Sequence, residues 1–534
     1  MKNLIFYGQD FLEIDAKIGE TKQLDANLES LSTEDKFSND ILKKILQELV
    51  KRWDKKIKDN TDNLILNNRD NNRSNQNKIG LLFGEDRFGG CIGVINDVFT
   101  LDESIAEKYR NNNEEINVKL QLTSRFDTLE KPYFLYTMLM GKNMRMSDTY
   151  TPSNSDDELS DILLLSCFAK QFEDAYCKGY YRTYHNFIGN DEKLKGSIDF
   201  SKHIKLNMGL NTGKISYSYR EKSVNNYLNH LIIEALLYLT KKNSNLVESF
   251  FERKAELYQI LKNLQYEIDY PLYDTKTVVQ KNLQPLTHPY YTEYERLRKT
   301  CIKILRDESI SFFDGTEEET QTVLYYIPYL WEEYLYDMFN ERKNASRGER
   351  FALIVEEQNK VEVFSPGDPT KNCAKIYPDF VFYENDSKKT PYMVLDAKFK
   401  PSWGEQMNKG ERIFGNLLDD YDKCVRDANS LNCNATGVIF PTNESFDMNN
   451  NRLFVHNISS YNETDRFLTI PVCVPEQKGE SYQTWLNDFD SRLVESLGKL
   501  ETIAANELNY YLQVRALKQQ MADIRNDYKY EEAE

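Results

Sequence analysis

Residues 376–400, IYPDFVFYENDSKKTPYMVLDAKFK, constrain the chain more than any other stretch. Two apolar runs, Phe380–Tyr383 and Tyr392–Leu395, flank a polar, Lys-rich turn. Aromatic and β-branched residues bounded by Asn, Asp, Ser and Pro predict a β-hairpin. Asp379 stands at the start of the first strand, and Asp396 and Lys398 at the end of the second. Side chains alternate between the faces of a strand, so Asp396 and Lys398 share one. Antiparallel neighbours run about 5 Å apart, which lets Asp379 and Asp396 converge on one divalent cation beside the ammonium. Folding a hairpin requires none of these charges, and an unpaired buried charge costs several kcal/mol. Two readings stay open from the residues alone: a metal site, or a buried Asp–Lys pair that holds the sheet edge. The tripeptide itself is loose, since Asp15-Ala16-Lys17 repeats it with no Pro-Asp strand ahead.

Read as a site, the cluster suits phosphodiester hydrolysis. The carboxylates of Asp379 and Asp396 and the main-chain carbonyl of Ala397 are hard oxygen ligands for Mg²⁺, with Mn²⁺ as the alternative. Such a metal polarises the scissile phosphate and helps deprotonate a water, while Lys398 orients that water and offsets transition-state charge. Glu332, on a helix predicted over Tyr325–Phe339, is a candidate fourth group, as ligand or base; the alternative is a solvated helix glutamate. Lys388, Lys389, Lys400, Lys409 and Arg412 are candidates to meet a phosphate backbone, against the plain reading of a charged loop surface.

At 534 residues the chain exceeds one ordinary core, so several domains are expected. The fold class expected is α/β, mixed α+β over the whole chain. Residues 1–150 read as an N-terminal region with a helix at 38–53, a polar linker at 54–78 and strands at 79–83, 91–95 and 116–122. Residues 151–290 read as mainly helical, with helices at 160–179, 225–240 and 246–266 and a strand at 214–220. Residues 291–477 alternate helices and strands around the hairpin, with a helix near 417–428 and a strand at 436–440. Residues 478–534 repeat apolar positions at helical spacing, Leu486 to Ile524, as a helical appendage packed within the chain in preference to a coiled coil. The Gly84–Gly90 stretch lacks a Gly-Lys-Ser/Thr ending and reads as a hairpin turn, not a phosphate loop.

The eight cysteines form no CxxC pair and the five histidines no HxH or HxxxH pair, so zinc and disulfide frameworks are not suggested. Neither a signal peptide nor a run of roughly 18 apolar residues is found, so a cytoplasmic protein without a membrane span is expected. A net charge of −17 argues against a chain that coats nucleic acid over its whole surface, though not against a local basic cleft.

The ordered motifs resemble the PD-(D/E)XK nuclease superfamily and, more narrowly, the McrC-type nuclease subunits of McrBC and LlaJI-like restriction systems. The blocks that carry the resemblance are Ser124-Arg-Phe-Asp127, Gly196-Ser-Ile-Asp199, Ser218-Tyr-Arg-Glu221, Asn225–Asn229, Leu330-Trp-Glu332-Glu-Tyr-Leu335, Tyr377-Pro-Asp379, Leu395-Asp396-Ala-Lys398, Asp420-Tyr421 and Gly437-Val-Ile-Phe-Pro441. They span roughly residues 79–445. One departure is Asp422, where the family pattern places a glutamine after the tyrosine. The resemblance implies a PD-(D/E)XK fold at 291–477, Glu332 as the active-site glutamate, and Mg²⁺-dependent cleavage of double-stranded DNA in a modification-dependent restriction system. It also implies an McrB-like AAA+ GTPase ring as partner, docked by the N-terminal half of the chain. The competing functions are a non-cleaving adaptor that activates the ring and a stand-alone nuclease.

Overall fold

The computed structural model describes residues 2–9, 46, 48–49, 90–100, 115–128, 131–140, 156–208, 213–306, 321–345, 354–357, 361–363, 374–383, 390–400, 402–409, 416–447, 454–457 and 466–531. The expected linker at 54–78, strand at 79–83 and most of the turn after it lie outside the described residues, as do Lys388, Lys389, Arg412 and the side chain of Lys409. Of the helix expected at 38–53, residues 46, 48 and 49 are described, and they are helical, with Leu46 and Leu49 buried. Contacts divide the chain into two compact units: residues 1–142, 151–154 and 324–534, and residues 143–150 and 155–323.

The first unit opens with β1 (Lys2–Gln9), β2 (Cys91–Thr100) and β3 (Glu115–Thr123). Strand β3 pairs parallel with β1 and antiparallel with β2. Helix α1 (Tyr133–Met140) is apolar around its whole circumference and buried throughout. Asp127 supplies its N-terminal cap, accepting from Phe134 N at 2.6 Å and Leu135 N at 3.1 Å.

The second unit contains α2 (Asp156–Tyr176), β4 (Thr183–Asp191), β5 (Ser197–Ile198), α3 (Phe200–Asn207), β6 (Ile215–Ser223), α4 (Tyr227–Lys242), α5 (Ser244–Arg253), α6 (Ala255–Glu267), α7 (Thr275–Lys281) and α8 (Glu293–Arg306). Helix α8 packs on α2 and α4, and Phe168, Leu231 and Leu297 are buried in their core. The single helix expected over 246–266 is two, broken at Lys254, whose backbone (φ −105°, ψ 44°) leaves the helical range. The region expected to be mainly helical also carries a three-stranded antiparallel sheet in the order β4-β6-β5.

Local devices build that sheet. A Cβ at Gly196 would lie 2.3 Å from Ser218 O, so only glycine lets β5 approach β6. Asp199 caps α3, accepting from Lys202 N at 3.0 Å. Asn226 caps α4, accepting from Asn229 N at 3.1 Å, while both asparagine side chains donate to Tyr181 O and Val224 O. The motifs at 196–199 and 225–229 therefore shape the chain at the sheet-to-helix junction.

The chain returns to the first unit with β7 (Gln321–Tyr326), which completes a four-stranded sheet, β1-β3-β2-β7. Tyr325 and Tyr326 belong to this strand, so α9 (Ile327–Ala345) starts two residues later than the periodicity predicts. After it come β8 (Ile354–Glu357), β9 (Val361–Val363), β10 (Ala374–Ile376), β11 (Phe380–Tyr383), β12 (Pro391–Ala397), α10 (Ser402–Lys409), α11 (Asn416–Leu431), β13 (Ala435–Thr442), β14 (Val455–Asn457), β15 (Arg466–Cys473) and α12 (Tyr482–Glu531). A six-stranded mixed sheet has the order β14-β15-β13-β12-β11-β8, with β12, β13 and β15 parallel and the hairpin β11–β12 antiparallel. All eight residues of β13 are buried, the pattern of a parallel strand covered on both faces. A Cβ at Gly437 would lie 2.1 Å from Leu468 O, which explains the glycine where β13 meets β15.

Helices cover both faces of this sheet, as the α/β expectation required. Phe339 of α9 packs edge-on to Phe380 and Phe382, with ring centroids 5.0 and 5.8 Å apart. Val438 and Phe440 join Trp403 of α10 and Leu417 and Cys424 of α11 in one core cluster. Helix α12 buries Tyr482, Trp485, Phe489, Leu493 and Leu497, and Phe489 lies edge-on to Phe134 of α1 at 5.6 Å. Beyond residue 508 its Leu512, Leu517 and Met521 are exposed. None of the described helices is long and apolar enough to cross a membrane.

Candidate active site

Strand alternation decides which way each charged side chain of the hairpin points. Phe380 pairs with Leu395, and Phe380 faces Phe339 of α9. Asp379 and Asp396, one residue away on each strand, therefore share the opposite face, the one covered by α11. The same result follows from the parallel side, where Asp396 pairs with Val438 of the α11 cluster. The convergence predicted from the hairpin is present.

Asp396 is 2 % exposed. Its Oδ2 touches the Lys398 ammonium as an ion pair, outside hydrogen-bond angles, and its Oδ1 touches the Lys423 ammonium. Asp379 Oδ2 accepts from Ala397 N at 2.8 Å, which fixes its carboxylate against the end of β12. Its Oδ1 lies 3.8 Å from Lys423 Nζ. Asp420 of α11 forms a second layer: both oxygens accept from Lys400 Nζ at 2.8–2.9 Å, Trp403 Nε1 donates to Oδ2 at 3.3 Å, and Lys398 Nζ lies 3.4 Å from Oδ1. Lys400, a sequence candidate for the phosphate backbone, is thus ion-paired with Asp420. Tyr421, beside it, packs on Phe467 with centroids 4.9 Å apart.

Glu332, at 9 % exposure on α9, is not a solvated helix glutamate. Its charge acts on Asp379 and raises that carboxyl's pKa. Phe399 anchors the far side of the strand end, in ring contact with Phe126 and Trp331 and under the Arg125 guanidinium at 4.5 Å. The Ser124–Asp127 motif thus buttresses the residue between Lys398 and Lys400.

The electrostatics of the two carboxyls are opposed. Burial first, then the Asp396 charge, pushes Asp379 well above the usual carboxylate range. Burial works the same way on Asp396, but the Lys423 and Lys398 ammoniums outweigh it and hold Asp396 below that range. Burial disfavours both lysine charges too, yet the facing carboxylates raise the two pKa values above the ordinary lysine value. Of the two, Asp396 is therefore the carboxyl that holds its charge more readily.

Asp379 and Asp396 supply hard carboxylate oxygens, the donor type that a divalent ion takes. Two carboxylates face each other on neighbouring strands and hold a stand-in cation, the Lys423 ammonium. Among the described residues no three His, Cys, Asp or Glu side chains close on one point, so the pair is the core of the site and Glu332 stands apart from it.

Lys423 and the second-layer role of Asp420 were missed by the motif reading. Asp422, the residue that departs from the family pattern, is exposed and points away. The signal lay in the helix period: Asp420, Lys423 and Asp427 recur at the spacing of Leu417, Cys424 and Ala428, placing polar groups on the face of α11 that packs on the sheet.

No curated protein matches the chain. Two solved structures align with it: "Refined half-complex from tetradecameric assembly of Thermococcus gammatolerans McrB AAA+ hexamers with bound McrC", at 12 % identity and a TM-score of 0.40 over 92 % of this chain and 99 % of that one, and "Cryo-EM structure of the Thermococcus gammatolerans McrBC complex", at 13 % identity and a TM-score of 0.25 over 65 % and 89 %. The sequence pattern of the family described as "McrBC 5-methylcytosine restriction system component" matches residues 100–415, more than half of the 534. That span holds the hairpin, Glu332 and the motifs of the three-stranded sheet, and the chain belongs to this McrBC family.

Proposed function

We propose that the chain is the DNA-cutting subunit of its restriction system, a Mg²⁺-dependent endonuclease that hydrolyses phosphodiesters of double-stranded DNA. The observation that carries this reading is the convergence of Asp379, Asp396 and Lys398 at one end of the six-stranded sheet, with Glu332 in electrostatic reach. Asp379 and Asp396 would hold the metal, with the Ala397 carbonyl as a further oxygen donor and Glu332 acting on the pair through its charge. A bound divalent ion supplies Lewis-acid polarisation of the phosphate and makes a water easier to deprotonate.

The remaining work falls to the chain's own groups. The Ala397 N–H keeps Asp379 aimed at its partner carboxylate. Lys398, held between Asp396 and Asp420, presents a fixed positive charge where the attacking water and the phosphate oxygens meet, and so offsets charge that develops in the transition state. Trp403, which donates to Asp420, and Phe399 are both buried beside the strand end.

An McrB-like AAA+ GTPase ring is the partner we assign, on family membership. The three-stranded sheet of the second unit offers it a face. Edge strand β4 has no buried residue along its nine positions, and Tyr184, Ile188, Phe200, Ile204 and Met208 are all more than half exposed. Exposed apolar side chains on edge strand β4 and on the neighbouring helix α3 support a contact site there. The adaptor reading keeps the fold and the ring but no cleavage, and the intact acidic pair with its lysine argues against it.

The test is cleavage by the chain assembled with its ring, GTP, Mg²⁺ and modified DNA. Lys398→Ala is expected to assemble normally and cut at least about 100-fold more slowly. Undiminished cutting by that variant would reject the assignment of the site.

A further inference from the structure

Lys423 has a place in this site that the reaction described above does not use. It lies one helical turn after Asp420 on the face of α11 that meets the sheet. Its ammonium touches Asp396 Oδ1 and stands 3.8 Å from Asp379 Oδ1, one oxygen from each carboxylate. Lys398 is arranged differently: it takes the other oxygen of Asp396 and an oxygen of Asp420. The two lysines therefore divide Asp396 between them, and only Lys423 bridges the pair.

A divalent ion held by Asp379 and Asp396 would compete with Lys423 for their oxygens. Mg²⁺ binds oxygen at about 2.0–2.1 Å in a closely defined octahedron, which leaves no room for an ammonium between the same two atoms. The lysine also has somewhere to go. Its side chain is 32 % exposed, against 16 % for Lys398, and its four-carbon stem is flexible.

We propose that Lys423 is a tethered place-holder for the divalent ion: it neutralises the carboxylate pair in the metal-free chain and must withdraw when the metal enters. This rests on the reading of Asp379 and Asp396 as metal ligands. The lysine lets two acids be buried side by side before any metal arrives, and it sets a threshold concentration below which the site stays empty of divalent ions. Metal affinity is thereby lower than the acid pair alone would give.

Direct binding tests this without reference to cleavage. The purified full-length chain is titrated with Mn²⁺ by calorimetry, with free Mn²⁺ followed by electron paramagnetic resonance, for the wild type, Lys423→Met, Lys423→Arg and Asp396→Asn. Lys423→Met is expected to bind Mn²⁺ at least about tenfold more tightly than the wild type, a change of about 1.4 kcal/mol. Lys423→Arg, which keeps the tethered charge, is expected to stay within about threefold of the wild type. Equal or weaker binding by Lys423→Met overturns the proposal. Circular dichroism checks the fold; should Lys423→Met not fold, Lys423→Gln carries the same expectation and the same contrary result. Binding that Asp396→Asn abolishes but Lys423→Met leaves unchanged rejects the place-holder alone. Absence of any Asp396-dependent binding rejects the metal-site reading, and the place-holder with it.

Discussion

At one end of the six-stranded sheet, Asp396 is buried and shares its oxygens between two lysines, which also meet Asp379 and Asp420. On the three-stranded sheet of the other unit Tyr184 and Ile188 are each 60 % exposed, and on the adjoining α3 Phe200 is 68 % exposed. The first region buries charge and the second exposes apolar surface. Each is unfavourable to the isolated fold, because ions lose hydration in the first and apolar groups keep theirs in the second. Packing alone calls for neither. On the function proposed above, the difference separates two roles: buried, mutually paired charge would preorganise a small reacting centre, whereas the exposed apolar surface would be completed by another protein. Aromatic–cation contacts on the exposed sheet fit this, with Arg220 and Lys222 both near the Tyr184 ring at 5.5 and 5.6 Å.

The contrast can be broken at several points. The largest effect is expected from Asp396→Asn, which keeps the shape of the side chain and removes its charge; turnover of DNA by the assembled system should fall by about 10³-fold in a cleavage assay. Ile188→Asp combined with Tyr184→Asp should weaken association with the ring by about 10- to 100-fold in a sedimentation or interferometry titration. The same double variant should change folding stability by less than about 0.5 kcal/mol per site, since both side chains already face water. Asn226→Ala should cost about 1–2 kcal/mol in chemical denaturation, through loss of the α4 cap and of its bonds to Tyr181 O and Val224 O. The smallest effect, and the most telling in sign, belongs to Asp379→Asn. Its amide oxygen can still accept from Ala397 N, and one buried acid is removed, so stability should hold or rise by up to about 1 kcal/mol while cleavage is lost.

Much of the site was legible in the sequence because its geometry is local. Two apolar runs joined by a turn fix a hairpin register, and the alternation of strand side chains then brings Asp379 beside Asp396. Glu332 needed one tertiary assumption, that its helix packs on the sheet, and Phe339 on Phe380 bears this out. Lys423 escaped because motif matching followed the position after Tyr421, whereas a helix delivers side chains by face; Asp422 points to solvent and Lys423 to the acids. Of the three-stranded sheet, β6 was expected as the strand at 214–220, and its partners escaped for a different reason. Strand β4 has no buried face, so it shows none of the apolar–polar alternation by which a half-buried strand is recognised. The partner strands of β7 were equally hidden, since a sheet that joins Gln321–Tyr326 to strands from the first 123 residues leaves no local trace.

The claim on which the rest depends is that the Asp379–Asp396 pair is a cutting centre in a chain that reaches its ring by another surface. The most direct measurement is DNA cleavage by an assembly reconstituted with Asp396→Ala, with ring association and GTP turnover recorded in the same sample. The account predicts full association, GTP turnover within about twofold of the wild type, and no cleavage above background. Cleavage at the wild-type rate by that assembly would contradict it.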